Sequence, residues 1–263
     1  MYTFTLERPS TAADAAKLAV AGAKPLAGGQ TLLASMKLRL ANPEKIVDLT
    51  AIRELSGIRR EGSKLVIGAM TTHAVVAASA DVQSAIPALA DLAGGIGDRQ
   101  VRNLGTIGGS LANNDPAACY PAAALALDAT IQTTKRQIAA ADFFKGMFGT
   151  ALEDGELITS VTFPQAKKAA YMKFRQPASR FALVGVFVAQ TDGGVRVAVT
   201  GGGSGVFRHK ELEAALGKSF TPEAAAGVKV SSNGLSGDLH ASAAYRANLI
   251  GVMAQRAVAK ALG

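Results

Sequence analysis

Tryptophan is absent from this chain and cysteine occurs once, as Cys119. A single thiol excludes an internal disulfide, and it excludes any iron–sulfur cluster or multi-cysteine metal site built from this chain alone. The three histidines, His73, His209 and His240, stand in unrelated contexts. No metal cluster and no nucleophile–base pair is expected from them. Aromatic residues make up only 5% of the chain, too few for the stacking platforms that single-stranded nucleic acid needs. No apolar run reaches the ~18 residues of a membrane span. The first residues, Met1-Tyr2-Thr3-Phe4-Thr5-Leu6-Glu7, lack the basic head and apolar core of a signal peptide. A cytoplasmic protein is expected.

What is present is ample core material. The chain has 263 residues, 49% of them hydrophobic, enough for one large domain or two to three small ones. The net charge of +8 comes from Lys and Arg spread along the chain, gathered at most into pairs such as Arg59-Arg60 and Lys167-Lys168. That distribution suits an anionic cofactor or an acidic partner subunit better than a nucleic acid.

The chain is organised around residues 94–127. Gly94, Gly95, Gly97, Gly105, Gly108 and Gly109 crowd its first half. Each interior glycine costs a helix ~1 kcal/mol relative to alanine, so one continuous helix is excluded. Glycine leaves bare N–H groups, which suit phosphate oxygens. Asp115-Pro116 has the residue types of a helix start, whose end would add partial positive charge. A phosphorylated ligand held by backbone is the expectation. Residues 24–27 form a candidate strand that runs into Gly28-Gly29-Gln30-Thr31 and a helix over 32–40. This is a second junction able to meet phosphate, although an ordinary strand–helix turn has the same look. Gly201-Gly202-Gly203 is not followed by Lys-Ser/Thr, which excludes a P-loop, and it reads as a flexible turn.

Around these loops, residues 1–55 read as a small α/β unit, with Ser10 capping a first helix that stops at Gly22. A hairpin over 57–60 and 64–68 follows. Thr71-Thr72 then caps a helix with His73 in its first turn, a position typical of surface or capping residues. A helical stretch over 81–93 is broken at Pro87. Residues 181–190 are apolar enough for a strand buried on both faces. With strands near 169–175 and 195–200 and a long helix over 240–262, the last third reads as an antiparallel sheet with helices on one side.

Several phrases, in order, look like one family: Ala27-Gly28-Gly29-Gln30-Thr31-Leu32-Leu33, Ile46-Val47-Asp48-Leu49, Ile52-Arg53-Glu54-Leu55-Ser56-Gly57-Ile58 and Gly68-Ala69-Met70-Thr71-Thr72-His73. The strongest is Gln100-Val101-Arg102-Asn103-Leu104-Gly105-Thr106-Ile107-Gly108-Gly109, and Ala244-Tyr245-Arg246-Ala247-Asn248-Leu249 closes the series. Together they resemble the FAD-binding medium subunit of molybdenum hydroxylases, the group containing carbon monoxide dehydrogenase and xanthine dehydrogenase.

The resemblance implies an α+β fold, vanillyl-alcohol-oxidase-like (PCMH-type). Two α/β subdomains, 1–55 and 56–167, would hold FAD between them, and 168–263 would form a C-terminal α+β domain. It implies a large molybdopterin subunit and a small [2Fe–2S] subunit as partners, in a dimer of heterotrimers. Electrons would pass from the partner's clusters through FAD here to an external acceptor, with no catalytic side chain required. Carried over by position, Ala27, Gly28, Gly29, Gln30, Thr31, Leu32 and Leu33 form the first FAD loop. Thr106, Ile107, Gly108, Gly109 and Ser110 form the second. Ile96 and Gly97 line the flavin, and Asp115 accepts a hydrogen bond from the cofactor. Ile158 and Lys173 lie near the isoalloxazine ring, where Lys173 favours the reduced flavin. One departure stands out. Many relatives have an acidic residue beside the proline after the second loop, where this chain has Ala118-Cys119-Tyr120-Pro121. Two other readings compete: a self-contained flavin oxidase of the same superfold, and a non-redox basic nucleotide-binding module.

Overall fold

The computed structural model describes residues Met1–Gly263. Three sheets follow one another along the chain. The first is parallel and holds β1 (Thr5–Glu7), β2 (Lys24–Leu26) and β3 (Lys45–Asp48) in the order β1–β3–β2. Central β3 buries Ile46 and Val47 completely. The crossover α1 (Ala12–Val20) is capped by Thr11 rather than Ser10: the Thr11 hydroxyl accepts from the Asp14 N–H at 3.1 Å. The next crossover, α2 (Leu32–Lys37), ends short of residue 40, because Arg39 adopts a left-handed φ of 59° and turns the chain away before Pro43.

The second sheet is antiparallel, in the order β4–β5–β8–β6–β7. It is built from β4 (Ile58–Glu61), β5 (Lys64–Gly68), β6 (Thr130–Thr133), β7 (Gln137–Ala139) and β8 (Ile158–Pro164). Between β5 and β6 the chain passes through α3 (His73–Ala78), α4 (Ala80–Ala85), α5 (Pro87–Gly94), α6 (Arg99–Leu104), α7 (Ile107–Asn113) and α8 (Tyr120–Ala126). The short α9 (Ala140–Phe143) follows β7.

The glycine-rich stretch is therefore two short helices. Side chains start both: Asp98 accepts from the Val101 N–H, and Thr106 accepts from the Gly109 N–H. Asp115-Pro116 does not start a helix. Asp115 Oδ1 instead accepts from the Ala117 N–H at 2.8 Å in a tight turn. The helix begins at Tyr120, with Pro121 in its first turn. Every residue of α8 is buried, and its alanines let neighbouring elements approach closely.

The third sheet is antiparallel, in the order β12–β11–β10–β9, from β9 (Lys168–Arg175), β10 (Ala182–Thr191), β11 (Gly194–Thr200) and β12 (Phe207–Arg208). After it come α10 (Lys210–Lys218), α11 (Pro222–Ala226) and α12 (Ala243–Leu262). The faces of β10 divide by side-chain alternation. Val184, Val186 and Val188 pack with Leu249, Ile250 and Met253 of α12. Phe187 and Ala189 join the core that contains Tyr120 and Leu89. Helices thus cover both faces of this sheet, not one. The second cover comes from α5 and α8, far back in the sequence.

Gly201-Gly202-Gly203 is a buried corner rather than a flexible turn. The Gly201 N–H donates to the Pro116 carbonyl at 2.7 Å, and a Cβ on Gly201 would overlap the Ala182 and Leu183 carbonyl oxygens. Buried Arg246 closes the corner, donating to the Leu183 and Gly201 carbonyls at 2.6 Å each and to Asp238 Oδ2 at 2.6 Å. No helix is long and apolar enough to cross a membrane.

Candidate cofactor site

The two glycine loops, more than seventy residues apart in sequence, lie against each other. A Cβ on Gly28 would overlap the Leu104 carbonyl, and one on Gly109 would lie 3.4 Å from the Ala27 Cβ. The first loop runs from β2 into α2. Its N–H groups from Ala27, Gly28, Gly29, Gln30, Thr31 and Leu32 donate to no atom of the chain. Gly29 is left-handed, with φ of 70°, and its carbonyl accepts from the Leu33 N–H at 3.1 Å. A run of unpaired N–H groups on a partly exposed loop has the character of an anion-binding nest.

The second loop uses its glycines differently. The N–H of Ile107 donates to the Thr71 carbonyl at 3.1 Å, that of Gly108 to the Ala69 carbonyl at 2.8 Å, and that of Gly109 to Thr106 Oγ1 at 3.1 Å. Ser110 donates to the Thr106 carbonyl, so only Thr106 keeps a free N–H here. The expectation of bare N–H groups therefore holds for the first loop and fails for the second. Gly108 is glycine because a Cβ would press on Ala69 at 2.6 Å, and Gly105 because one would press on His73 Nε2 at 2.6 Å. Here the close approach is to the protein itself.

His73 is buried, not a surface cap. Its N–H donates to the Gly105 carbonyl at 2.9 Å, its ring lies 5.3 Å from that of Tyr120, and Nδ1 has no partner. Burial, helped by the Arg102 charge, lowers its pKa to about 4, so the ring is neutral at pH 7. It forms a rigid wall behind Gly105.

Ile96 and Gly97 form the turn after α5. Gly97 has a φ of 49°, and Arg102 Nη1 donates to the Ile96 and Gly97 carbonyls at 2.9 and 3.2 Å. Arg180 adds a longer bond to the Gly97 carbonyl at 3.4 Å. Lys173 reaches the same turn from β9, where Nζ donates to the Gly95 carbonyl at 2.9 Å and to Cys119 Sγ at 3.3 Å. Asp115 is half-buried, with Oδ1 committed to Ala117. Ile158 is buried in the main core. It connects to the second loop through the neighbouring Thr159 carbonyl, which accepts from the Ala69 N–H at 2.9 Å.

Sequence reasoning missed the hydroxyls of Tyr120 and Tyr171. Both are buried without a hydrogen-bond partner, and burial raises both phenol pKa values far above the usual range. Nothing in their sequence context marks them, because their burial is decided by elements far away in the chain. Arg102 lies inside the strongest family phrase and carries a signal that could have found it.

Residues 2–166 match the model of a family described as the FAD binding domain in molybdopterin dehydrogenase. The chain belongs to this family. Among its relatives is the carbon monoxide dehydrogenase medium chain of Hydrogenophaga pseudoflava, 37% identical over 90% of this chain and 88% of the relative. Another is the 6-hydroxypseudooxynicotine dehydrogenase complex subunit alpha of Paenarthrobacter nicotinovorans, 35% identical over 91% of this chain and 87% of that one. A solved structure of reconstituted CO dehydrogenase from Oligotropha carboxidovorans superposes with a TM-score of 0.92. It is 33% identical and covers 99% of each chain. The chain is thus an α+β FAD-binding medium subunit of the molybdenum hydroxylases, and an oxidoreductase subunit. Its residues fit the cofactor: the first loop offers unpaired donors to a pyrophosphate, and the buried tyrosine hydroxyls lack partners within the chain.

Proposed function

We propose that the two loops hold FAD between them, with the pyrophosphate on the N–H groups of residues 28–32 and the flavin ring toward Ile96, Gly97 and Lys173. The observation that carries this reading is a run of unpaired donors on a loop packed at contact distance against a second glycine loop. Bound FAD supplies two-electron and one-electron redox chemistry. The chain's own residues bind, orient and tune. Gly28 lets the first loop lie on Leu104-Gly105, Arg102 holds the Ile96-Gly97 turn, Asp115 offers its second carboxylate oxygen, and Lys173 brings positive charge. Thr106 and Ser110 add hydroxyls beside Gly109, and Ile158 supports the loop from below.

In this reading, electrons arrive from the [2Fe–2S] clusters of a small partner subunit. Substrate is oxidised on a large molybdopterin subunit, and FAD passes the electrons to an external acceptor. The assembly is a dimer of heterotrimers in the cytoplasm. The divisions 1–55, 56–167 and 168–263 are proposed as its domains, supported by one sheet falling within each. Substrate choice lies outside this chain. Two relatives of nearly equal identity, 37% and 35%, bear names pointing to carbon monoxide and to 6-hydroxypseudooxynicotine.

The test is an FAD titration of the full chain, and of its co-expressed complex, followed by flavin fluorescence. Stoichiometric binding is expected. Gly29→Asp is expected to weaken it roughly 100-fold, because a carboxylate in the nest repels the pyrophosphate. Wild-type affinity in that variant, or a folded chain and complex that both lack FAD, would sink the reading.

A further inference from the structure

Lys173, Cys119 and Tyr171 meet where β9 passes the start of α8. The two acceptors of the Lys173 ammonium are the Gly95 carbonyl, at 2.9 Å, and the Cys119 sulfur, at 3.3 Å. Neither is a carboxylate, and Lys173 joins none of the chain's ion pairs. This sets it apart from Lys260 and Arg136, each of which faces an acidic side chain. The Tyr171 hydroxyl lies beside the same sulfur, and Tyr120 is its chain neighbour. These tyrosines are 7% and 0% exposed, and neither hydroxyl has a partner. A half-buried ammonium held by two acceptors that bring no full charge stays ready for an anion. Sulfur accepts only weakly, so the thiol places the ammonium without competing for its charge.

We propose that Cys119 is a positioning residue. It holds Lys173 in place and leaves its charge uncompensated, so that the pair favours reduction of the flavin. This rests on the FAD reading above. Two electrons and one proton taken up by the oxidised ring leave the reduced ring with one net negative charge. Lys173 would meet that charge, while the oxidised ring would offer it none. A carboxylate at position 119 would pair with Lys173 and cancel the effect.

The experiment uses the full chain, purified alone or in its complex, after bound FAD per chain has been measured. Anaerobic reductive titration against a reference dye gives the midpoint potential. Cys119→Asp is expected to weaken two-electron reduction at least tenfold, about 30 mV lower. Lys173→Gln is expected to weaken it at least as much. Cys119→Ser, which keeps a neutral acceptor, is expected to stay within threefold of wild type.

Two outcomes overturn the inference. One is a Lys173→Gln potential equal to wild type. The other is a Cys119→Asp potential equal to wild type; a raised Cys119→Ser beside it is the pattern of a sulfur that already neutralises Lys173. Should Cys119→Asp fail to fold, Cys119→Ala, which removes the acceptor, decides instead: a potential equal to wild type overturns the positioning role. A wild-type protein without FAD overturns the functional reading itself, which separates the two failures.

Discussion

His73 shows how much one residue's meaning depends on what folds over it. In sequence it sits in a first helical turn, where histidine is commonly exposed. In the structure it is buried under Gly105 with an unpaired Nδ1. Burial lowers its pKa from the ordinary histidine value of about 6.5 to about 4. Between those values the unfolded chain binds a proton that the folded chain refuses, so this group lowers stability as pH falls from 6.5 to 4. The loss is on the order of 3 kcal/mol. Urea unfolding at pH 7 and pH 4.5 is expected to show a smaller acid loss in His73→Gln than in wild type. The carboxylates held low by their partners, Glu156 and Asp48 among them, are common to both proteins and cancel in the difference. Equal losses would show that His73 charges freely in the folded state.

At the scale of elements, the two glycine loops look alike in sequence and differ in physics. Gly29 stands in the unpaired nest with a positive φ, and a Cβ there meets the flexible end of Leu33. Gly29→Ala is expected to cost about 1 kcal/mol of stability and to act mainly on FAD binding. Gly108 faces the Ala69 backbone and side chain. Gly108→Ala is expected to cost about 3 kcal/mol, because backbone cannot yield as a side chain can. Thermal unfolding of both variants, without added FAD, checks the contrast. A Gly108→Ala protein as stable as Gly29→Ala would refute it. Both doublets were legible as glycine loops from the sequence. Which one spends its N–H groups on the protein was not, because the acceptors Thr71 and Ala69 lie more than thirty residues upstream.

For the whole molecule, the third sheet is the joint. One face carries α12 and the other closes the main core, so Tyr171, Phe187 and Ala198 belong to the same apolar cluster as α5 and α8. Arg246 ties this joint, linking α12 to β10, to Gly201 and, through the Gly201 N–H, to Pro116 beside the second loop. Arg246→Met would leave two buried carbonyls without donors and Asp238 without its partner. A loss of about 3–5 kcal/mol is expected, seen as a Tm lowered by roughly 6–20 °C at 2–4 °C per kcal/mol. A shift of a degree or less would show that the tie is dispensable.

The sequence by itself determined the local pieces. These are the strands and most helices, the break at Pro87, the glycine loops and the ordered phrases that mark the family. Each depends on neighbours a few residues away, through capping, turn geometry and side-chain period. The tertiary structure alone decided that the first loop lies on Leu104-Gly105 and that β10 is covered from both sides. It also decided that Lys173 ends on Cys119 and that the second loop's N–H groups are already satisfied. Those outcomes depend on atoms brought together by packing across many tens of residues. No local spacing encodes which acceptor a given N–H finds, or which charge a given lysine keeps.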